Sequence, residues 1–175
     1  TGYYLYKYWQ GQSGGSTIPA ADPLLRMADL YLMYAEAVNE AYGPTGTCGD
    51  VSLTAIDAVN KIRTRAGMPN VKNQYTSSKE TFRERIRNER CIEIAYEGAH
   101  YYFYIRRWSI APQTMSQPLM GMYIETCAKD AAHPNGKNYI RRMIPDNAQA
   151  VWSDDMYYMK FPDKLINRME YLTNK

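Results

Sequence analysis

The chain has 175 residues, 45% hydrophobic and 22% charged, which is an ordinary globular composition and enough length to bury a core. With 21 basic and 18 acidic residues the net charge is +3, too balanced to call for nucleic acid or anionic lipid as a partner. No apolar run approaches the roughly 20 residues of a membrane span, and the three cysteines (Cys48, Cys91, Cys127) have no metal-binding spacing. One bias stands out, 17 Tyr against 3 Phe and 3 Trp. A tyrosine ring with a polar tip suits half-wet binding faces as well as the rim of a core.

Residues 1–8 have neither a basic nor an apolar signal region, so a targeting sequence for an exported parent is expected upstream. Residues 3–9 are rich in aromatics and predict a strand or extended edge, followed by a Gly/Ser-rich loop over 11–16. The first helix has Asp22 as a natural cap and Pro23 at its first position. Leu24, Ala28, Tyr31, Ala35, Val38 and Tyr42 follow at alternating steps of four and three, an amphipathic stripe that Gly43-Pro44 stops. Helix two takes Asp50 or Ser52 as cap. It shows Leu53, Ile56, Val59 and Ile62 on one face, has Ala55, Ala58 and Ala66 for close approach, and stops at Gly67. These two elements predict a helical hairpin over 23–67.

Helix three is predicted over 78–98, from the capping pattern Ser77-Ser78-Lys79-Glu80 to about Glu97, with a further short helix over 99–108. The region 109–175 is turn-rich and predicts long loops with short strands, one near 156–161. Cys91 reads as a small hydrophobe within a helix. Cys48 and Cys127 lie in loop-like sequence, where spacing leaves their pairing open.

Glu89, Glu93 and Glu97 recur every four residues and share one stripe of the charged helix. Two of them fall in its last turns, where the helix dipole disfavours anions. Cations must therefore meet them. The simplest account is an ion-pair network of Arg87, Glu89, Arg90, Glu93, Glu97, Arg106 and Arg107, with Arg63 and Arg65 of helix two as rival donors of charge. Glu97 and His100 have the spacing used in di-iron bundles, but only one copy exists, and His133 has no such partner. Neither a metal, another cofactor nor catalytic chemistry is expected, since no nucleophile elbow, phosphate loop or HExxH pattern occurs.

Several segments, in order, resemble the SusD/RagB family. LRMADLYLMYAEA (25–37) is similar to its "RLAEvyLnyAEA" helix, DAVNKIRTRAGMP (57–69) to "alNkiRaRAGlp", and IRNERCIEIAYEG (86–98) to "irnERriElafEG". Arg106-Arg107-Trp108 stands as its "RRW", residues 118–122 as its "pi-G-m" segment, 156–174 as its closing stretch, and Thr1-Gly2-Tyr3 with Lys7 as its opening strand. Two departures occur. The stretch 99–105 is one residue longer than the family's "GhRyfDlrRW" and lacks its Arg and Asp, and no final "NPGY" is present.

The resemblance implies a mainly α fold of TPR-like helical hairpins, a SusD-like α-α superhelix, with a loop-rich C-terminal part. Residues 1–175 would be the C-terminal part of one such domain. It implies a non-enzymatic, surface-exposed outer-membrane lipoprotein that binds oligosaccharide for import with a SusC-like TonB-dependent transporter. The lipid anchor would lie upstream. A peptide-capturing or transporter-docking scaffold of the RagB type is the alternative. Sugar contacts in such proteins come from loop aromatics, for which Trp9, Tyr123, Tyr139 and Trp152 are the candidates.

Overall fold

A computed structural model describes residues 3, 7, 23–98, 100–145, 149–158, 160–169 and 171. The chain divides into two compact units, one over 17–101 and the other taking in 102–175. The predicted strand at 3–9, the loop at 11–16 and the cap Asp22 lie outside the described residues.

The first unit is helical. Helix α1 (Met27–Tyr42) buries Ala28, Asp29, Leu32, Ala35, Val38 and Asn39, a stripe at steps of three and four that alternates small and large side chains. Helix α2 (Ala55–Arg65) meets it with Ala55, Ala58, Val59 and Ile62, and helix α3 (Lys79–Glu93) with Phe82 and Ile86. One core cluster joins Ala35 and Val38 to Ala55, Val59, Phe82 and Ile86, and a second joins Ala28 and Leu32 to Ile62 and Ile94. The start of α1 therefore packs on the ends of α2 and α3, and its end on their starts. The predicted hairpin is antiparallel, and α3 also runs antiparallel to α1. Alanines at positions 35, 55 and 58 have no accessible surface, which lets the backbones approach. Ala66, beyond the end of α2, is exposed instead.

Three helix ends differ from their predicted positions. Helix α1 begins at Met27 rather than at residue 23, because Arg26 is extended (φ −145°, ψ 163°) and leaves Leu24 in solvent. Helix α2 is capped by Thr54, not Asp50 or Ser52. The Asp57 N–H donates to Thr54 Oγ1 at 3.0 Å and the Asp57 carboxylate reaches back to the Thr54 N–H at 3.4 Å, a complete capping box. Helix α3 starts as predicted, with Ser78 accepting from the Thr81 N–H at 3.2 Å, but it ends at Glu93 instead of Glu97. The Glu97 N–H turns to the Ile94 carbonyl at 3.1 Å, Tyr96 adopts a left-handed backbone (φ 63°), and the Glu93 carbonyl accepts from Arg26 Nη2 at 2.6 Å. A side chain from outside the helix takes the place of its next backbone donor.

The opposite ends of α1 and α3 are tied by polar contacts. Lys79 Nζ donates to the carbonyls of Glu40 and Ala41, both at 3.1 Å, and so caps the C-terminus of α1. The fully buried Asn39 returns a bond from Nδ2 to the Lys79 carbonyl at 3.0 Å.

The second unit contains most of helix α4 (His100–Arg107), a short helix α5 (Ala111–Met115) and a two-stranded antiparallel sheet. Its strands are β1 (Met120–Thr126) and β2 (Lys137–Met143), with Met120 opposite Met143 and Thr126 opposite Lys137. Pro134-Asn135-Gly136 closes the hairpin. Gly136 is left-handed (φ 66°), its N–H bonds the His133 carbonyl at 2.9 Å, and a Cβ there would sit 3.2 Å from the Cys127 carbonyl oxygen. Gln149 holds the open end of the hairpin. Its Oε1 accepts from the Leu119 N–H at 2.6 Å and its Nε2 donates to the Ile144 carbonyl at 2.7 Å. The strand expected at 156–161 is instead a 3-10 turn (Asp154–Tyr157) followed by helix α6 (Asp163–Ile166), which Pro162 opens. The Met156 N–H closes that turn on the Ser153 carbonyl at 2.9 Å, a local bond that competes with extension. Cys48, Cys91 and Cys127 are free thiols, and partial burial raises the pKa of Cys91.

Candidate functional site

The charge stripe of α3 meets cations from α2, from its own helix and from the segment before α1. Glu89 pairs with Arg63 and Arg85. Glu93 accepts from Arg26 and from Arg65, each at 2.5 Å. Glu97 takes both arms of the Arg26 guanidinium at 2.7 Å. These bonds, those from Glu97 first, hold the Arg26 guanidinium charged well beyond the usual arginine range. Arg90, expected among the glutamates, reaches Asp29 of α1 at 2.7 Å, and Arg87 pairs with Glu84. Arg106 corrects a second expectation. Its Nη2 donates to the Met156 carbonyl at 2.6 Å and its Nη1 to the Tyr102 carbonyl at 3.2 Å, so it joins the aromatic part of the second unit. Arg107 lies beside the rings of Tyr104 and Trp108. Three participants escaped sequence reasoning, Arg26, Asp29 and Arg85. Arg85 stands four residues before Glu89, a helical spacing that could have signalled it, whereas Arg26 and Asp29 stand far from their partners in sequence, so no local spacing signals them.

Of the candidate aromatics, Trp9 lies outside the described residues. Trp152 is half-buried, edge-on to Tyr157 at 5.0 Å between centroids, with the Arg106 guanidinium 5.3 Å from its ring. The same guanidinium lies 3.1 Å from the centre of the Tyr102 ring, and Tyr102 stands edge-on to Phe103 at 5.4 Å. This cluster links α4 to the 152–157 segment through one cation and four rings.

Tyr123 and Tyr139, expected in loop-like or edge sequence, lie on the two strands of the hairpin, one register position apart. Tyr123 pairs with Ile140, and Tyr139 with Ile124. Directly opposed residues share a face and alternate residues change face, so the two tyrosines point to opposite sides of the sheet. They cannot form one platform. The Tyr123 ring carries the Arg142 guanidinium 3.7 Å from its centre. Tyr139 is 54% exposed, and among the described residues its ring has no stacking or cationic neighbour.

Polar groups also line an open depression of about 600 Å³ beside α2, including Asp57, Asn60, Lys61, Thr64 and Asn70. Two of its oxygens serve the fold, Asp57 Oδ2 in the capping box and Asn60 Oδ1 as acceptor of the Val71 N–H at 2.9 Å. Among the described residues no group of three or more His, Cys, Asp and Glu side chains is arranged to hold a metal ion, and no helix is long and apolar enough to cross a membrane. His133 bonds Asp130 at 3.0 Å, and Glu97 is held by Arg26.

The family model for SusD and RagB proteins, described as the SusD family, matches residues 1–175. The chain belongs to the SusD family. Comparison with curated proteins and with solved structures returned no match. SusD-family proteins are nutrient-binding proteins rather than enzymes, are usually associated with the outer membrane and work with transporters there. The mainly helical architecture with a small two-stranded sheet agrees with the fold expected from the resemblance.

Proposed function

We propose that this SusD-family chain captures oligosaccharides at the cell surface, as part of an outer-membrane lipoprotein that feeds a SusC-like TonB-dependent transporter. The family match over residues 1–175 carries this reading. The surface chemistry supports it. A pyranose offers an apolar face that a flat ring can cover, and hydroxyls that amides and charged groups can bond. Tyr139, Phe103 and the half-buried Trp152 provide rings at the surface of the second unit. Tyr102 and Tyr123, one side of each occupied by an arginine, are weaker platforms.

Calorimetric titration of the protein against a panel of oligosaccharides, with a peptide pool alongside, tests the reading. Saturable binding to one sugar class supports it. Binding confined to peptides, with the protein shown to be folded, moves the function to the RagB-type peptide-capturing alternative.

A further inference from the structure

Strand β2 places Lys137, Tyr139 and Arg141 on one face of the hairpin, because alternate residues of a strand point the same way. All three are exposed. At roughly 3.4 Å per residue the two cations stand about 14 Å apart along the strand, with the tyrosine midway. Among the described residues neither Lys137 nor Arg141 has an ion pair, a hydrogen bond or a ring contact. The arginines of the first unit behave differently, since Arg26, Arg63, Arg65, Arg83, Arg85, Arg87 and Arg90 all meet carboxylates. The one acid in either strand, Glu125, is opposite Asn138 and therefore on the other face. Ile124, opposite Tyr139, and Met122, opposite Arg141, supply an apolar floor on the same face.

From this arrangement we infer that the Lys137–Tyr139–Arg141 face binds an anionic oligosaccharide, one whose sugar rings carry carboxylates, as uronic acids do. The inference rests on the glycan-capturing reading and narrows its substrate class. The ring of Tyr139 covers the apolar face of one sugar, and the flanking cations meet carboxylates on sugars to either side of it. Arg141 offers the two parallel N–H donors that match a carboxylate. A linear ligand with repeated charge fits a linear row of cation, ring and cation. A membrane surface fits it less well, since lipid headgroups are read by clusters of about four to eight basic residues and this face has two.

The test is calorimetric titration of the full chain with α-1,4-galacturonate and β-1,4-mannuronate hexamers, each beside its fully methyl-esterified form, which keeps the shape and removes the charge. The expected result is at least tenfold tighter binding of one charged hexamer than of its ester, weakening as salt is raised. Lys137→Gln and Arg141→Gln should each weaken the charged hexamer several-fold and leave the ester unchanged, while Tyr139→Ala should weaken both. All three side chains are exposed, so an unchanged melting temperature is the folding control. Equal affinity for charged and esterified hexamers, or no response to the three variants, overturns this inference and leaves glycan capture standing. Absence of saturable binding to these and to neutral oligosaccharides overturns both. Binding confined to acidic peptides, or to vesicles of phosphatidylcholine with 20% phosphatidylglycerol, overturns the inference in favour of those partners.

Discussion

Arg26 grips Glu97 with two hydrogen bonds of 2.7 Å across 71 residues of sequence, and the same guanidinium bonds the backbone carbonyl of Glu93. A single side chain thus neutralises a buried carboxylate and closes the C-terminal end of α3. The two roles explain why α1 starts late and α3 ends early, since both depend on an extended residue 26.

Replacing Arg26 by Met should leave the Glu97 carboxylate buried without this partner. Loss of one member of a fully buried pair costs about 3–5 kcal/mol. Arg26 is 25% exposed, so about 2–3 kcal/mol is expected after discounting for solvent. Urea denaturation checks the value. Arg26→Lys should recover less than half of the loss, because an ammonium cannot reproduce the two-armed grip.

Glu93 and Glu84 lie on the same helix with different surroundings. Glu93 accepts from Arg26 and Arg65 with its side chain 14% exposed, whereas Glu84 is 69% exposed and faces Arg87 three residues on. Glu93→Ala should lower stability by about 2 kcal/mol and Glu84→Ala by less than about 0.5 kcal/mol. Equal, near-zero shifts in thermal melting would remove the network from the account of stability.

Asp29 and Arg90 form the most deeply buried pair among the described residues, with side chains 8% and 1% exposed. Asp29→Leu and Arg90→Met should each cost about 3 kcal/mol, because each takes this partner from a buried charge. The double variant should cost clearly less than the sum, which a double-mutant cycle measures directly. Strict additivity would show that the pair does not act as a unit.

Arg83 donates to both oxygens of Glu40, at 2.6 and 2.5 Å, and holds its carboxyl below the usual glutamate range. A carboxyl whose folded pKa is depressed stabilises the fold above its unfolded pKa of roughly 4.3, and that stabilisation fades as pH falls through the folded value. The pair is partly exposed, so the effect is small. Glu40→Gln should therefore lose stability relative to the parent at pH 6, and the gap should narrow as pH falls below the unfolded value of roughly 4.3. Melting temperatures of both proteins across that range provide the check.

Phe82 of α3 is fully buried in the core cluster that also holds Ala35, Val38 and Val59. Phe82→Ala should cost about 3–5 kcal/mol through lost burial and the cavity left behind. Denaturant titration should show a lower midpoint with an unchanged slope.

The helical layer was legible in the sequence because its signals are local. Val38 and Val59 lie on the stripes that periodicity picks out, Ser78 is one of the two serines that open the capping pattern Ser77-Ser78-Lys79-Glu80, and the four-residue recurrence of Glu89, Glu93 and Glu97 marks a stripe that demands cations. Of the cations that answer, Arg63 and Arg65 were named from the sequence as rivals, and both pair with the stripe. Arg26, 71 residues from Glu97, was not legible, nor was Asp29, the carboxylate 61 residues from Arg90, because only helix packing decides which side chains cross such a gap.

The second unit divides the same way. Tyr139 was conspicuous as an aromatic in a polar stretch, but its meaning depends on face. Once residues 137–143 are a strand, parity sets Tyr139 between Lys137 and Arg141 and turns it away from Tyr123, and a loop conformation would impose neither relation. Periods of 3.6 and 2 are properties of the chain's own backbone and can be read along it. Pairing across a hairpin, and ion pairing across a core, arise only when distant segments are brought to within a hydrogen bond's length.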